Sequence, residues 1–238
     1  MKKLMMILVL AQTFACTKQE TMENLPPTPV VPGFPQPNTW LALGDSYTIG
    51  ESVPIYESFP YQTVQLLRKK GMSVHAAEII AKTGWTTDEL MAGIEKTTFS
   101  QSYDIVSLLI GVNNQYREKD PSAYEQEFEK LLNKAIAFAG GNKQHVFVLS
   151  IPDWGATPFA ASRDRVKIGK EIDLFNAINR KITEAAGIAY ISITEGSREA
   201  TSNPLLVAKD GLHPSGMEYG RWAKKIADAI LQQVRRLN

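Results

Sequence analysis

Three residues that together could form a hydrolytic triad lie near the two ends of the chain. Ser46 follows the apolar run Trp40–Leu43 after the dipeptide Gly-Asp, and Asp210 and His213 stand in the sequence Asp-Gly-Leu-His-Pro. A serine hydroxyl is a poor nucleophile unless a base takes its proton. A serine, an acid and a histidine can supply the nucleophile, the orienting carboxylate and the base of acyl transfer. Ser46, Asp210 and His213 are therefore the candidate catalytic residues.

The small number of histidines narrows the choice of base. The chain has three of them. His75 lies in an apolar run with the character of a strand, and His145 directly precedes the apolar run Val146–Ile151, so structural roles account for both. An acid, a glycine and a proline surround His213 at a predicted loop-to-helix junction. We therefore assign His213 as the base.

Two aspartates compete for the role of the orienting acid. Asp210 is three residues from His213, so the two side chains can meet only if the backbone turns back, and Gly211 makes that turn easier. Asp45 adjoins Ser46, but the two side chains should point to different sides of the turn if Ser46 faces a crevice. Asp210 is therefore the predicted acid.

Apolar runs that alternate with helical spacing predict how these residues are positioned. The predicted strands are Trp40–Leu43, Val74–Ala81, Tyr103–Ile110, Val146–Ile151 and Ile188–Ile193. The predicted helices are Tyr61–Lys70, a helix from Thr86 or Thr87 to about Lys96, Pro121–Ala139, Arg165–Ala186, and Pro214 to about Val234. Alternation of this kind indicates parallel βαβ units with helices on both faces. We predict a three-layer α/β/α sandwich with a five-stranded parallel, flavodoxin-like sheet, and Ser46 at its carboxyl edge.

The first 38 residues predict export and tethering. Two lysines precede the apolar run Leu4–Ala11, which is typical of a signal peptide over residues 1–15. Cys16 is the sole cysteine, and its place after Ala15 resembles the lipidation site of a bacterial lipoprotein. The alternative is ordinary cleavage after Ala15, which leaves an unmodified thiol. Six prolines between residues 17 and 38 indicate an extended linker. We expect a domain over residues 39–238, lipid-anchored through Cys16 in the bacterial cell envelope.

Composition excludes several other functions. The net charge is +1, with no strong charge block, so nothing favours nucleic-acid binding. The sequence has no His/Cys cluster at zinc spacing and no phosphate-cradling glycine motif, so we expect neither a metal nor a cofactor. The hydrophobic content of 44% suits a soluble domain with a substantial core, which we expect to be a monomer.

Four short blocks in order resemble the SGNH (GDSL) hydrolase family. They are Gly44-Asp45-Ser46-Tyr47, Gly84, Gly111-Val112-Asn113-Asn114 and Asp210-Gly211-Leu212-His213-Pro214. The resemblance extends from about Thr39 to the C-terminus. It implies that Ser46 is the nucleophile, His213 the base and Asp210 the acid. It also implies an oxyanion hole made by the backbone N–H groups of Ser46 and Gly84 and the side-chain amide of Asn113.

One position departs from that family pattern. The third block often ends in Asp, and this chain has Asn114 there. Because Asn113 is the implied donor, we expect Asn114 to alter local hydrogen bonding without removing activity.

The resemblance predicts hydrolysis of a carboxylic ester through an acyl-serine intermediate. Acetyl esters on carbohydrate are the first expected substrates. Lysophospholipids, thioesters and acyl transfer to a sugar are alternatives, as is a glycan-binding lipoprotein without activity, which the intact Ser46, Asp210 and His213 oppose. Trp85 and Trp154 lie beside two of the loops. Each could stack on a sugar ring or pack over the sheet edge.

Overall fold

Five parallel strands form one sheet in the part of the chain that the structure describes. The computed structural model describes residues 36–99 and 102–237. Its strands are β1 (Trp40–Asp45), β2 (Glu78–Lys82), β3 (Ile105–Leu109), β4 (Val146–Leu149) and β5 (Ala189–Ile191), in the spatial order β2-β1-β3-β4-β5. This flavodoxin-like order confirms the predicted fold class. The predicted signal peptide, Cys16 and the linker up to residue 35 lie outside the described residues.

Helices form a layer on each side of this sheet. They are α1 (Ser46–Ile49), α2 (Phe59–Lys69), α3 (Thr87–Glu95), α4 (Val112–Tyr116), α5 (Pro121–Phe138), α6 (Arg165–Ala185), α7 (Thr194–Arg198) and α8 (Gly216–Leu237). Helices α2 and α8 pack together in one layer, and α5 lies between α3 and α6 in the other. Among the described residues, no helix is both long and apolar enough to cross a membrane.

Strand β1 is an interior strand of the sheet and carries the nucleophile candidate at its end. It pairs with β2 on one side and β3 on the other, and all six of its residues are buried. The five residues of β3 are also buried. Strands covered on both faces need nearly continuous apolar sequence, which is why these two runs are predicted well.

The predicted second strand begins too early. The sequence predicts a strand over Val74–Ala81, whereas β2 spans Glu78–Lys82. Val74 makes only an isolated bridge to Asn38, and the next two residues are exposed. A strand persists only where its backbone faces a partner, and the register of β1 starts at Glu78.

A glycine directly after the apolar run Trp40–Leu43 predicts a sharp turn at Gly44. This prediction is wrong, because Gly44 remains inside β1 and pairs with both neighbouring strands. A Cβ at this position would lie 2.1 Å from Thr48 Oγ1 and 2.5 Å from the Leu109 carbonyl oxygen. Glycine is therefore required by the close approach of α1 and β3, and the chain leaves the strand directly into helix α1.

Backbone hydrogen bonds join two parts of the loop that precedes the last helix, α8. Pro214 pairs with Val207 in an antiparallel bridge, and the Ser215 N–H donates to the Leu206 carbonyl at 2.8 Å. The predicted helix start at Pro214 is therefore wrong by two residues, because these bonds hold the chain extended until α8 begins at Gly216. This loop is the one that carries Asp210 and His213.

Candidate active site

Ser46 opens helix α1 directly after the carboxyl end of β1. The residue before it, Asp45, caps the helix by accepting a hydrogen bond from the Tyr47 N–H at 3.0 Å. Gly50 ends the helix in the left-handed region, with φ of 77°. The predicted turn is thus a single helical turn, which fixes the backbone on both sides of the serine.

Asp210 and His213 are in contact across a tight turn. Asp210 Oδ1 accepts hydrogen bonds from the N–H groups of Leu212 and His213, each at 3.0 Å. Asp210 Oδ2 lies 2.5 Å from His213 Nδ1. Gly211 has φ of 74°, so the backbone turns back there as the sequence predicts. The carboxylate therefore fixes the orientation of the imidazole and leaves Nε2 as its other nitrogen.

Ser52 contacts Asp210, the predicted acid, and no sequence pattern predicts this contact. Its hydroxyl donates to Asp210 Oδ2 at 2.6 Å, from 158 positions away in sequence. Ser52 has φ of 64°, one of two non-glycine residues with positive φ among those described. Such a conformation costs free energy and is often retained at functional sites. Nothing in the local sequence signals this contact, because it depends on the approach of two loops.

The hydrogen bonds at Asp210 set its charge. Partial burial favours the neutral carboxyl group and so raises its pKa. The hydrogen bonds from Ser52, His213 and the two N–H groups stabilise the carboxylate, and together they lower the pKa to about 2. Asp210 is therefore ionised across the neutral range, as an acid that stabilises an imidazolium must be.

Ser46, His213 and Asn113 line one cavity of about 180 Å³. The Tyr47 ring lies against the imidazole, with centroids 5.0 Å apart. Tyr116, Trp154, Phe159 and Leu212 complete an apolar wall. Within the described residues, no hydrogen bond joins the Ser46 hydroxyl to the His213 ring. Proton transfer therefore requires a closer approach, and such bonds commonly tighten when substrate binds.

The Asn113 side chain has other hydrogen-bond partners in this structure. Its Nδ2 donates to the Trp85 carbonyl at 3.0 Å and to Asp45 Oδ2 at 3.3 Å. An amide nitrogen has two hydrogens, so both are engaged. For the predicted oxyanion role one bond must be shared or released, and the longer bond to Asp45 is the weaker of the two.

Asp45 itself is buried beside the nucleophile. Burial is the largest influence on the carboxyl group and raises its pKa to about 7, against hydrogen bonds from the Tyr47 N–H and Asn113 that lower it. The Asp45 side chain contacts Asn113 and its own helix, and no hydrogen bond links it to His213 among the described residues. Of the two aspartates, only Asp210 therefore contacts the predicted base in the part of the chain that the structure describes. The role of Asp210 as the acid stays a prediction.

Gly84 lies in the turn that follows β2, the edge strand that pairs with β1. The Trp85 N–H donates to the Lys82 carbonyl at 3.2 Å, and Gly84 has φ of 81°, which glycine adopts without strain. Arg117 donates to the Gly84 carbonyl at 2.6 Å. Gly84 is not among the residues that line the serine cavity. Its role as an oxyanion donor stays a prediction.

Asn114 replaces a frequent Asp with a group that can also donate. It is fully buried, accepts from the Thr87 N–H at 3.1 Å, and donates from Nδ2 to the Thr87 hydroxyl at 2.6 Å. The Thr87 hydroxyl in turn donates to Glu127. An ionised Asp could accept but not donate at this place. The amide therefore joins α4, α3 and α5 through one buried chain of hydrogen bonds.

Both candidate tryptophans pack against the fold. Trp154 is 5% exposed and its Nε1 donates to Gln115 at 2.7 Å. Trp85 is half-buried, and its ring lies over Gly93, where a Cβ would come within 2.2 Å of the indole. Of the two predicted roles, stacking on a sugar ring and packing against the protein, the second therefore describes both tryptophans. The exposed aromatic rings near the cavity are Tyr116 and Phe159 instead, at 45% and 43%.

Comparison with known proteins places this geometry in a family. The model of the GDSL-like lipase/acylhydrolase family matches residues 42–219, which is more than half of the chain. The chain belongs to this family. Membership makes it a carboxylic ester hydrolase, as the sequence predicts. A search of curated proteins found no match.

Solved structures of similar fold agree with the family assignment. The GDSL-like chain resembles TesA with a TM-score of 0.66 and 17% identity, over 82% of this chain and 99% of that one. It resembles a lipase/acylhydrolase from Enterococcus faecalis with a TM-score of 0.65 and 18% identity, over 83% and 96%. Axe2, an acetylxylan esterase from Geobacillus stearothermophilus, matches with a TM-score of 0.62 and 18% identity, over 81% and 94%.

Proposed function

We propose that this GDSL-like hydrolase removes short acyl groups, acetyl first of all, from carbohydrate, with Ser46 as nucleophile. The observation that carries the proposal is the small cavity shared by Ser46 and the His213 ring, whose Nδ1 is held by Asp210. A cavity of about 180 Å³ favours a short acyl group over a long chain. Axe2, with the same fold, is an acetylxylan esterase, which supports carbohydrate as the carrier.

The proposed reaction follows from these positions. His213 Nε2 takes the hydroxyl proton as Ser46 Oγ attacks the ester carbonyl carbon, and Asp210 stabilises the imidazolium that forms. The backbone N–H groups of Ser46 and Gly84 and the Asn113 amide then bind the negative carbonyl oxygen. The intermediate collapses, and His213 returns the proton to the leaving alcohol. Water, deprotonated by the same imidazole, attacks the acyl-serine and releases the acid and the free Ser46 hydroxyl.

The Ser46→Ala variant tests the nucleophile. We expect turnover of p-nitrophenyl acetate to disappear while the melting temperature is kept, since the change removes one hydroxyl. Labelling with a fluorophosphonate probe should disappear with it. Retention of more than about a tenth of the wild-type rate would contradict the assignment, because removal of a triad nucleophile costs far more. A wild-type protein that neither labels nor turns over would favour the glycan-binding alternative.

Two further assays separate the remaining alternatives. A series of p-nitrophenyl esters of rising chain length should show the highest kcat/KM at acetate, and a maximum at long chains would favour a lysophospholipase. Product analysis with an added sugar acceptor should give free acetate. Acylated sugar as the main product would establish acyl transfer.

We also propose that the protein is exported and held at the membrane by a lipid on Cys16. The support is the basic start, the apolar run and the sole cysteine after Ala15. Cys16→Ala should move the protein from the membrane fraction to the soluble fraction, with Ser46→Ala as a control that stays bound. Retention of Cys16→Ala on membranes without detergent would contradict the anchor.

We propose a monomer as the working form, because Ser46, Asp210 and His213 all come from one chain. Sedimentation of the detergent-solubilised protein at several concentrations tests this, and a concentration-independent dimer would contradict it.

A further inference from the structure

A second, larger space opens beside the serine cavity. This cleft of about 500 Å³ lies between α4 and the start of α6, and we call it the Arg163 cleft. Tyr116 and Trp154 line both it and the serine cavity. Their rings meet edge to face, with centroids 5.3 Å apart. Because the two spaces share one aromatic wall, a single ligand can occupy both.

The Arg163 cleft is polar and its charges balance. Its ionisable lining consists of three basic and three acidic side chains: Arg117, Arg163, Lys167, Glu118, Asp164 and Glu171. Lys167 Nζ lies 3.8 Å from Glu118 and 3.6 Å from Glu171. Arg163 has no ion pair with any residue in the described ranges. A lining with no net charge gives no long-range attraction for an anion or a cation.

The chemistry of this lining suits a neutral polyhydroxyl ligand. A sugar hydroxyl both donates and accepts hydrogen bonds, so it can use the guanidinium and ammonium groups and the carboxylates together. The half-exposed ring of Tyr116 offers a flat apolar face to the C–H side of a sugar ring. A long acyl chain would form no hydrogen bonds with the six charged side chains. Its binding would also have to offset the free-energy cost of removing water from them.

The volumes of the two spaces indicate which part of the ligand each of them can hold. Small-molecule sites are usually about 300–1,000 Å³. The Arg163 cleft, at about 500 Å³, falls in that range, whereas the serine cavity of about 180 Å³ does not. The serine cavity therefore has room for the reacting ester, and the remainder of the substrate needs another place.

We propose that the Arg163 cleft binds the neutral sugar chain that carries the acetyl ester, while the acyl group enters the serine cavity. The inference rests on the proposed function and names the part of the protein that selects the alcohol side of the substrate. Tyr116 then lies at the junction between the acyl group and the sugar. Arg163 and Lys167 bind hydroxyls farther along the chain.

The experiment compares one large and one small ester on the full-length protein. The Arg163→Ala/Lys167→Ala double variant changes the Arg163 cleft and leaves every residue of the serine cavity in place. For acetylated xylo-oligosaccharide we expect kcat/KM to fall about tenfold or more, mainly through a higher KM. For p-nitrophenyl acetate we expect less than about a twofold change, because this ester does not reach the cleft.

Lys170→Ala is the matched control. Lys170 is an exposed lysine on the same helix, outside the Arg163 cleft, so its removal should change neither substrate's kcat/KM. Melting temperatures of all variants exclude unfolding as the cause of a loss. An equal fall for both substrates, or no fall for the oligosaccharide, overturns the proposal.

Two outcomes separate this inference from the proposed function. If the wild type cleaves p-nitrophenyl acetate through Ser46 but acts on acetylated oligogalacturonide, an anionic chain, better than on the neutral chain, the charge argument is wrong and the esterase remains. If neither ester is turned over in a Ser46-dependent manner, the proposed function fails, and the cleft proposal fails with it.

Discussion

Two aspartates in the candidate site have opposite electrostatic behaviour. Asp45 is 1% exposed and precedes Ser46, whereas the side chain of Asp210 is 30% exposed and contacts His213. The pKa of Asp45 is raised to about 7, and that of Asp210 is lowered to about 2. At neutral pH only Asp210 is therefore fully ionised.

Burial and hydrogen bonding explain the difference between them. At Asp45 burial outweighs the bonds from the Tyr47 N–H and Asn113, and the neutral form is favoured. At Asp210 four donors face a carboxylate that water also reaches, and the charged form is favoured. The comparison shows that the charge of each carboxylate depends on its burial and on the number of donors around it, and not on its distance along the chain from Ser46.

The largest expected effect is on turnover at Asp210. Asp210→Asn should lower kcat by a factor of about 10–10⁴ with KM little changed, because a triad acid mainly stabilises the transition state. Steady-state kinetics with p-nitrophenyl acetate measure this. Asp45→Asn is the paired control and should keep most of its kcat. The reverse pattern, with stability kept in both, would make Asp45 the triad acid.

Substitution of the glycine beside Asp45 should damage the fold more than substitution beside Asp210. A Cβ at Gly44 meets Thr48 Oγ1 and the Leu109 carbonyl, whereas at Gly211 its nearest contact is Pro158 Cβ at 3.5 Å. Gly44→Ala should cost about 3 kcal/mol of unfolding free energy or more. Gly211→Ala should cost about 1–2 kcal/mol, from its positive φ alone. Chemical denaturation measures both, and equal losses would mean that strand packing at Gly44 is looser than described.

The two acids should also act on stability in separate pH ranges. The folded pKa of Asp45, about 7, lies above the unfolded value of about 3.9, so the folded state holds an extra proton between them. Asp45 should therefore make the unfolding free energy fall as pH rises from about 4 to 7, by up to about 1.4 kcal/mol per pH unit. Denaturation of Asp45→Asn should show a flatter slope there, and an unchanged slope would contradict the raised pKa.

Asp210 has the opposite sign and a lower range. Its folded pKa of about 2 lies below the unfolded value, so its contribution is complete above about pH 4 and is lost as pH falls towards 2. Asp210→Asn should remove that part of the acid sensitivity and leave the slope between pH 4 and 7 in place. This makes the two variants controls for each other.

The smallest expected effect concerns Ser52. Ser52→Gly removes the hydroxyl that donates to Asp210 and also relieves the positive φ. We expect kcat to fall by up to about tenfold, while the melting temperature stays the same or rises. A purely structural serine would not lower kcat in a protein of undiminished stability.

Ser122→Ala is the control for the loss of a hydrogen bond between a serine hydroxyl and an aspartate. The Ser122 hydroxyl donates to Asp120 Oδ2 at 2.6 Å, the same distance as the Ser52 bond, at the start of α5 and outside the cavity. It should leave kcat unchanged. Wild-type kcat in Ser52→Gly would show that the hydroxyl does not position the acid.

The central strands and the long helices could be predicted because their patterns are local. β1 and β3 are buried on both faces, and α5 begins at the predicted Pro121 and ends one residue before the predicted end. The carboxyl ends of parallel strands lie at the same edge of a sheet, so the residues that follow β1 and β3 meet there. This is why Ser46 and Asn113 line the same cavity.

Contacts between distant loops could not be predicted. The Ser52–Asp210 bond, the engaged amide of Asn113 and the contact between the Tyr116 and Phe159 rings depend on how segments far apart in sequence approach in three dimensions. The packing at Gly44 was missed for a related reason, because its partners come from α1 and β3. A sequence pattern reports which face a residue occupies and says nothing about the atoms across from it.

The position of the Asp210 loop has a consequence for the growing polypeptide. Ser46 is synthesised early, directly after β1, whereas Asp210 and His213 come late, just before α8, the helix that packs on α2. A ribosome-bound chain that ends before Asp210 thus carries the serine without its predicted base. If Ser46 and His213 have their predicted roles, we expect a premature stop before Asp210 to yield a protein with a serine and no base to activate it.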